Sequence, residues 1–186
     1  MPQPSVFRLI LMGALLSASP LGLLPAAAEM LQFASPDGMK SWPKLNDIPE
    51  WHQDMESSIR LGANSLIPDG VDPATAEATI QARGFPRGGG AAFTSVSQMV
   101  ESDRAAAPAG TEIKQLPDVA DKDGVPFNVY SFAPAGGQGA WKAVAYSEEG
   151  DHLLAFTLST RSKAAYDSNL PAFVSLIQKY AKDIPW

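Results

Sequence analysis

The chain has 186 residues and a formal net charge of −6, with 20 Asp and Glu against 14 Lys and Arg. An acidic protein repels phosphate backbones and anionic lipid headgroups, which disfavours nucleic acids and membrane surfaces as partners. Cysteine is absent, and this excludes disulfides, a cysteine nucleophile and a lipid anchor on a cleavage-site cysteine.

The beginning of the chain has the pattern of a secretory signal peptide. Arg8 supplies a positive charge, Leu9–Leu16 is apolar apart from one glycine, and small side chains stand at Ala26 and Ala28. This pattern predicts cleavage before Glu29. The alternative is a transmembrane anchor, but such a helix needs about 20 apolar residues and this run is shorter. The chain has no Asn-x-Ser/Thr site, which favours a bacterial protein in the periplasm or medium. We expect no stable membrane insertion after cleavage.

The cleaved chain, residues 29–186, is long enough for a single domain with a sizeable core. Its first half alternates short strands and turns. Asp72 and Pro73 form a helix start, with Asp as N-cap and Pro at the first helical position, which predicts a short helix over Ala74–Ala78. The other predicted segments are a strand at Met30–Ala34, turns over Ser35–Pro49, a possible strand at Glu50–Met55, a segment Ala63–Ile67 that ends in a Pro-Asp-Gly turn, and a strand at Thr79–Phe85.

A helix is predicted to begin after Ser95. Ser95 and Gln98 form a capping-box pattern, in which each side chain can accept a hydrogen bond from the other residue's backbone N–H. Val96, Met99 and Val100 fall on one apolar face of this helix.

The second half has the most regular pattern. Strands are predicted at Thr111–Leu116, Val125–Phe132, Trp141–Ser147 and His152–Ser159, and the last three have short turns that favour an antiparallel meander. Two helices are expected to follow, one over Lys163–Asp167 and one from Asn169 to about Ala181, because Pro171 cannot lie inside an unbroken helix. Strands with segregated helices indicate the α+β class, with helices covering a mainly antiparallel sheet.

The C-terminal third resembles the end of PsbP-like domains. The resemblance lies in Trp141–Tyr146, Leu153–Thr160, Ala165-Tyr166 and Leu170–Phe173, and an earlier stretch from Glu50 to Gly70 is similar to small exported bacterial proteins of this type. It implies an α/β/α sandwich on an antiparallel sheet, and a place among the exported, uncharacterised bacterial members. It implies no activity, because the matching residues are core and turn positions.

Motifs for catalysis and for phosphate binding are absent. No Gly-x-Ser-x-Gly elbow occurs, and the glycines at 136, 137 and 139 are followed by no Lys-Ser/Thr pair. We therefore predict no catalytic residue and no cofactor.

One local cluster could bind a ligand. On a strand, His52, Asp54 and Glu56 would share one face beside Trp51, because side chains alternate. Imidazole and carboxylates together can hold a transition metal or act as an acid and base. These four residues are the predicted binding residues, and no metal ion is assigned to them.

Three functions stay open from the sequence. The first is an exported, soluble, non-catalytic binding or accessory domain whose partner is an envelope protein. The second is a metal-binding protein or hydrolase that uses His52, Asp54 and Glu56. The third is an immunity-type inhibitor of a co-exported protein.

Overall fold

The computed structural model describes residues 30–35, 38–88 and 90–181, and the chain forms ten strands and three helices within them. The strands are β1 (Met30–Ser35), β2 (Gly38–Pro43), β3 (Trp51–Gln53), β4 (Asn64–Pro68), β5 (Ala78–Pro86), β6 (Glu112–Gln115), β7 (Val119–Ala120), β8 (Pro126–Ala133), β9 (Trp141–Glu149) and β10 (His152–Thr160). The helices are α1 (Met55–Leu61), α2 (Val96–Ala106) and α3 (Lys163–Lys179). Every strand pair in this part of the chain is antiparallel, so the predicted α+β class is confirmed.

Strands β5 and β10 form the centre of the sheet, whose order is β1-β2-β5-β10-β9-β8-β6. β10 pairs along its whole length with β5 on one side and with β9 on the other. Two strands share the edge of β5 that faces away from β10: β4 pairs with it at Ile80–Ala82, and β2 pairs with it at Gly84. A glycine suits the position where β2 meets β5, because a Cβ atom on residue 84 would lie only 3.0 Å from the sulfur of Met30. The predicted meander is confirmed as β8, β9 and β10.

Helix α3 covers one face of the sheet. Phe173, Leu176 and Ile177 are completely buried, in one cluster with Ile80 and Phe156 of the two central strands. Burial of each such side chain contributes roughly 1.5–3 kcal/mol, so this face holds the main core.

Helix α2 covers only part of the opposite face, which completes the expected α/β/α sandwich. Met99 and Val100 are buried against a smaller cluster of sheet residues. Along β5 the residues that point towards α3 are buried, whereas Gln81 and Arg83, which point the other way, are half-buried. The sheet face beside α2 is therefore partly open, and the candidate site lies there.

The predicted break at Pro171 is wrong, because α3 is one helix from Lys163 to Lys179 with Pro171 inside it. A proline at this position lacks the N–H that would donate to the carbonyl of Asp167, at a cost of about 3 kcal/mol. Buried side chains on both sides of the proline, Tyr166 before it and Phe173 after it, hold the helix against the sheet. Their burial outweighs the cost of the proline.

Two other expectations for local structure are corrected. The turn-rich segment 35–49 contains strand β2, and the predicted helix over Ala74–Ala78 is a single turn. Asp72 does accept a hydrogen bond from the Ala74 N–H at 2.8 Å, as a cap would. The chain then enters β5 at Ala78, because Ala78 and Ile80 are buried beneath α3.

Candidate functional site

The predicted cluster around His52 does not form a shared strand face. Strand β3 ends at Gln53, and Asp54 is the N-cap of α1, where its carboxylate accepts from the Ser57 N–H at 3.0 Å. Hydrogen bonding to Ser57 lowers the pKa of Asp54. Glu56 lies in the first turn of the helix, where a carboxylate interacts favourably with the positive end of the helix dipole.

His52 instead contacts a residue from the turn after β4. Its Nδ1 atom lies 2.8 Å from Oδ1 of Asp69, and both side chains are exposed. Trp51 packs against the main core. Over residues 30–35, 38–88 and 90–181 no three His, Asp or Glu side chains are placed to hold a metal ion. A binding role for Trp51, His52, Asp54 and Glu56 stays a prediction, without the common face that motivated it.

A cavity lies between α2 and the central strands. It has a volume of about 290 Å³, close to the lower limit of roughly 300 Å³ for small-molecule pockets. We call it the α2 cleft. Eight residues line it: Gln81, Arg83, Phe85, Phe93, Met99, Asp103, Ala155 and Thr157.

The strand register explains the floor of the α2 cleft. Gln81 of β5 is paired with Thr157 of β10, and Arg83 is paired with Ala155. Side chains two residues apart on a strand share a face, so these four lie together beneath the helix. Ala155 lies between Arg83 and Tyr146 of β9, and its small side chain leaves the space that the cavity occupies.

The roof is formed by α2 and the segment before it. Met99 is buried, and Phe93 meets Phe85 edge to face with ring centroids 5.5 Å apart. The helix begins at Ser95, whose hydroxyl accepts from the Gln98 N–H at 3.3 Å. The reciprocal half of the predicted capping box is absent, since the Gln98 side chain accepts from the Thr94 N–H instead.

Asp103 is fixed to the sheet by one hydrogen bond. Its Oδ2 accepts from the hydroxyl of Tyr146. Burial, and then the neighbouring carboxylate of Asp103, raise the pKa of Tyr146 far above its ordinary value. The phenol is therefore neutral at physiological pH and donates to Asp103. Within the described chain, Oδ1 of Asp103 has no hydrogen-bond partner.

Arg83 is fixed at the other side of the cleft. Its Nη2 donates to the carbonyl of Leu61 at the end of α1, at 3.1 Å. Its Nε atom is buried and has no acceptor among the described residues. Arg83 and Asp103 line the same cavity, yet no ion pair joins them. The α2 cleft thus presents two opposite charges with a gap between them.

The α2 cleft continues into two further depressions. Asp103 and Thr157 also line a depression of about 140 Å³, which Lys142 and Phe132 share with a third of about 380 Å³ at the end of α2. Alanine and proline side chains of the two flanking loops dominate the third. Together the three form a groove that runs beside α2 from β5 to the β8–β9 loop.

The residues of the α2 cleft were not among the predicted binding residues. Gln81 and Arg83 alternate with apolar residues along the predicted strand 79–85, and this alternation was the one local signal for a polar face. No local pattern places the exposed Asp103 in the same cavity as Arg83. That placement depends on the strand order, which the sequence did not reveal.

Comparisons with known proteins give distant structural similarities. No protein-family model matches the chain, and no curated protein sequence matches it. A protein of unknown function from Pseudomonas aeruginosa, PA94, has a TM-score of 0.47 and 17% identity over 84% of this chain and 99% of its own. The Ran-binding protein Mog1p of Saccharomyces cerevisiae has a TM-score of 0.40 and 11% identity, over 84% of this chain and 87% of its own.

A cyanobacterial PsbP is also among the structural neighbours. The protein from Synechocystis sp. PCC 6803 has a TM-score of 0.39 and 13% identity, over 86% of this chain and 95% of its own. No sequence family is shown by these similarities.

Two further expectations concern the membrane and the N-terminus. None of the helices within residues 30–181 that the structure describes is long and apolar enough to span a bilayer. The predicted signal peptide and its cleavage residues, Ala26, Ala28 and Glu29, lie outside the described residues.

Proposed function

We propose that the chain is an exported binding domain that holds a small ligand in the α2 cleft and acts by binding rather than by catalysis. The observation that carries the proposal is the cleft itself, in which Arg83 and Asp103 face one cavity without pairing. Ligand sites combine an apolar lining with a few convergent polar groups, and the α2 cleft has both. Export is supported by the N-terminal pattern alone.

The α2 cleft is suited to holding a ligand rather than transforming one. Its charged groups are the guanidinium of Arg83 and the carboxylate of Asp103, which accepts a hydrogen bond from the phenol of Tyr146. A hydroxyl nucleophile paired with a histidine base is the arrangement expected for acyl transfer. The lining contains Thr157 but no histidine.

The test is a ligand screen against the purified protein and a variant with a filled cleft. Ala155→Leu places a larger side chain on the cleft floor, and Ala105→Leu makes the same change on the exposed side of α2. We expect compounds from a panel of small metabolites to shift the amide resonances of cleft residues in the parent and in Ala105→Leu. Ala155→Leu should lose these shifts. Binding that survives Ala155→Leu unchanged would refute the proposal.

Export has its own test. We expect the protein recovered from the periplasm or medium of its bacterial host to begin at Glu29, which intact-mass measurement would show. Replacing Ala26 and Ala28 by larger residues should leave the chain uncleaved in the cell fraction. Recovery of the full-length chain from the cytoplasm would contradict export.

An envelope protein as a further partner is proposed on a second observation. Helix α1 exposes two apolar side chains one turn apart on the same face, Met55 at 52% and Ile59 at 58% accessible. Neighbouring exposed apolar residues are typical of protein contact surfaces. We expect affinity capture from a periplasmic extract to retain one stoichiometric protein, and Ile59→Ser to lose it while Ala155→Leu keeps it. Equal capture by both variants would contradict a role for α1.

A further inference from the structure

Two opposite charges, those of Arg83 and Asp103, line the α2 cleft, and their chemistry indicates the kind of ligand that would fill it. Arg83 lies on the sheet floor and Asp103 on the helix above, and neither forms an ion pair with the other. When two opposite charges line one cavity without contacting each other, a molecule that carries both complementary charges can bridge them.

Arg83 is prepared for an anion. The carbonyl of Leu61 holds one end of the guanidinium through Nη2, so the group is already ordered. Nε–H is buried without an acceptor in the described chain, and a buried donor without a partner is costly. A carboxylate is the acceptor that matches the planar guanidinium fork.

Asp103 is prepared for a cation. Tyr146 donates to Oδ2 and fixes the direction of the carboxylate, while Oδ1 keeps its acceptor capacity. An ammonium group has three donors. It can therefore bind Oδ1 and still donate to a neutral oxygen, such as those of Gln81 and Thr157 on the floor.

The remaining lining is apolar. Phe85 and Phe93 form an edge-to-face pair beside the buried Met99, and these side chains suit an apolar group of similar size. The volume of about 290 Å³ is enough for a small metabolite.

We propose that the ligand of the α2 cleft is a free α-amino acid with an apolar side chain, its carboxylate on Arg83 and its ammonium on Asp103. This inference rests on the proposed function, since it names the ligand class of the same cleft. Both charged groups of such a molecule are engaged at once, so loss of either charge on the ligand or the protein weakens binding.

The experiment is a calorimetric titration of the purified protein with L-phenylalanine and two analogues that each lack one charge. 3-Phenylpropanoate has no ammonium group, and 2-phenylethylamine has no carboxylate. We expect L-phenylalanine to bind at least tenfold more tightly than either analogue, because a hydrogen bond between charged groups is lost in each case. Equal binding of all three compounds would overturn the inference.

Two charge-removing variants test the assignment of each end. Arg83→Gln should weaken binding of L-phenylalanine at least tenfold and abolish the response to 3-phenylpropanoate, yet leave 2-phenylethylamine unchanged. Asp103→Asn should show the inverse selectivity while keeping an oxygen for Tyr146. Arg87→Gln and Glu101→Gln make the same charge changes outside the cleft and should bind as the parent does.

The pattern of binding across the three compounds distinguishes a lost contact from a lost fold, because a misfolded variant would bind none of the three. If both variants bind L-phenylalanine as tightly as the parent, the inference is wrong. If L-phenylalanine fails to bind but another metabolite binds and is lost in Ala155→Leu, the ligand class is wrong and the proposed function stands. If no binding depends on Ala155, both are wrong.

Discussion

Replacement of Pro171 by alanine should stabilise the protein, because α3 is continuous through this residue. Pro171 is the ninth residue of a helix that begins at Lys163, well beyond the first turn, where proline is tolerated. Its side chain is exposed, so alanine creates no cavity. The substitution restores an N–H that can donate to the carbonyl of Asp167 and removes a clash worth about 3 kcal/mol.

One opposing effect must be subtracted. Proline restricts the unfolded chain, and its removal costs about 0.4–1 kcal/mol of stability. The net gain in the free energy of unfolding is then about 2 kcal/mol, or a rise in Tm of roughly 4–8 °C for a chain of this size.

Urea denaturation followed by far-ultraviolet circular dichroism measures this change, with Pro117→Ala as the control. Pro117 is exposed in the loop between β6 and β7, where only the unfolded-state effect operates, so this variant should lose up to about 1 kcal/mol. The two prolines should thus change stability in opposite directions. If Pro171→Ala is no more stable than Pro117→Ala, the helix is broken at the proline and the reasoning fails.

Three further predictions concern the core, a helix cap and alkaline pH. Phe173→Ala should lower the free energy of unfolding by about 3–5 kcal/mol, because the side chain is completely buried; a loss below about 1 kcal/mol in urea would show that α3 is not packed there. Ser162→Ala should cost about 1 kcal/mol, since its hydroxyl accepts from the Ala165 N–H, whereas Ser97→Ala on the exposed face of α2 should be neutral or slightly stabilising in the same assay. Burial and the neighbouring carboxylates raise the pKa values of Tyr146 and Tyr180 above the ordinary 10.0, so the folded state binds more protons than the unfolded state above pH 10. The contribution of each tyrosine should be complete below that pH and then be lost by up to about 1.4 kcal/mol per pH unit. Burial raises the pKa of Tyr166 as well, so Tyr146→Phe should remove the share of one tyrosine in three from the slope, and an unchanged slope would contradict its burial.

The sequence was most informative where neighbouring strands are also neighbours in space. Strands β8, β9 and β10 follow one another through short turns, and the antiparallel meander predicted from those turns is confirmed. Strand β5 was predicted within one residue at each end, since its alternation is regular. Its partner β10 could not be inferred, because nothing local to either strand specifies a pairing across about seventy residues.

The errors arose where tertiary packing opposed a local rule. Pro171 is a strong breaker in isolation, but burial of Phe173 beyond it keeps the helix intact. The strand expected over Glu50–Met55 ends at Gln53, because Asp54 caps helix α1 instead. The candidate site was missed for a third reason, because only the order of the strands and the position of α2 above them place Arg83 and Asp103 in one cavity.

The central position of β10 has a consequence for how the chain acquires its structure. β10 is the last strand in the sequence, yet it occupies the middle of the sheet and supplies the whole length of pairing for β5. Proteins dominated by such distant pairings fold slowly, on the scale of milliseconds to seconds. While the chain is being made, β5 can pair with β2 and β4 along one edge, but its other edge has no partner until residue 160 is available, so the sheet cannot be completed before then. A chain truncated before His152 should therefore remain without a cooperative unfolding transition, whereas one that retains β10 can complete its sheet.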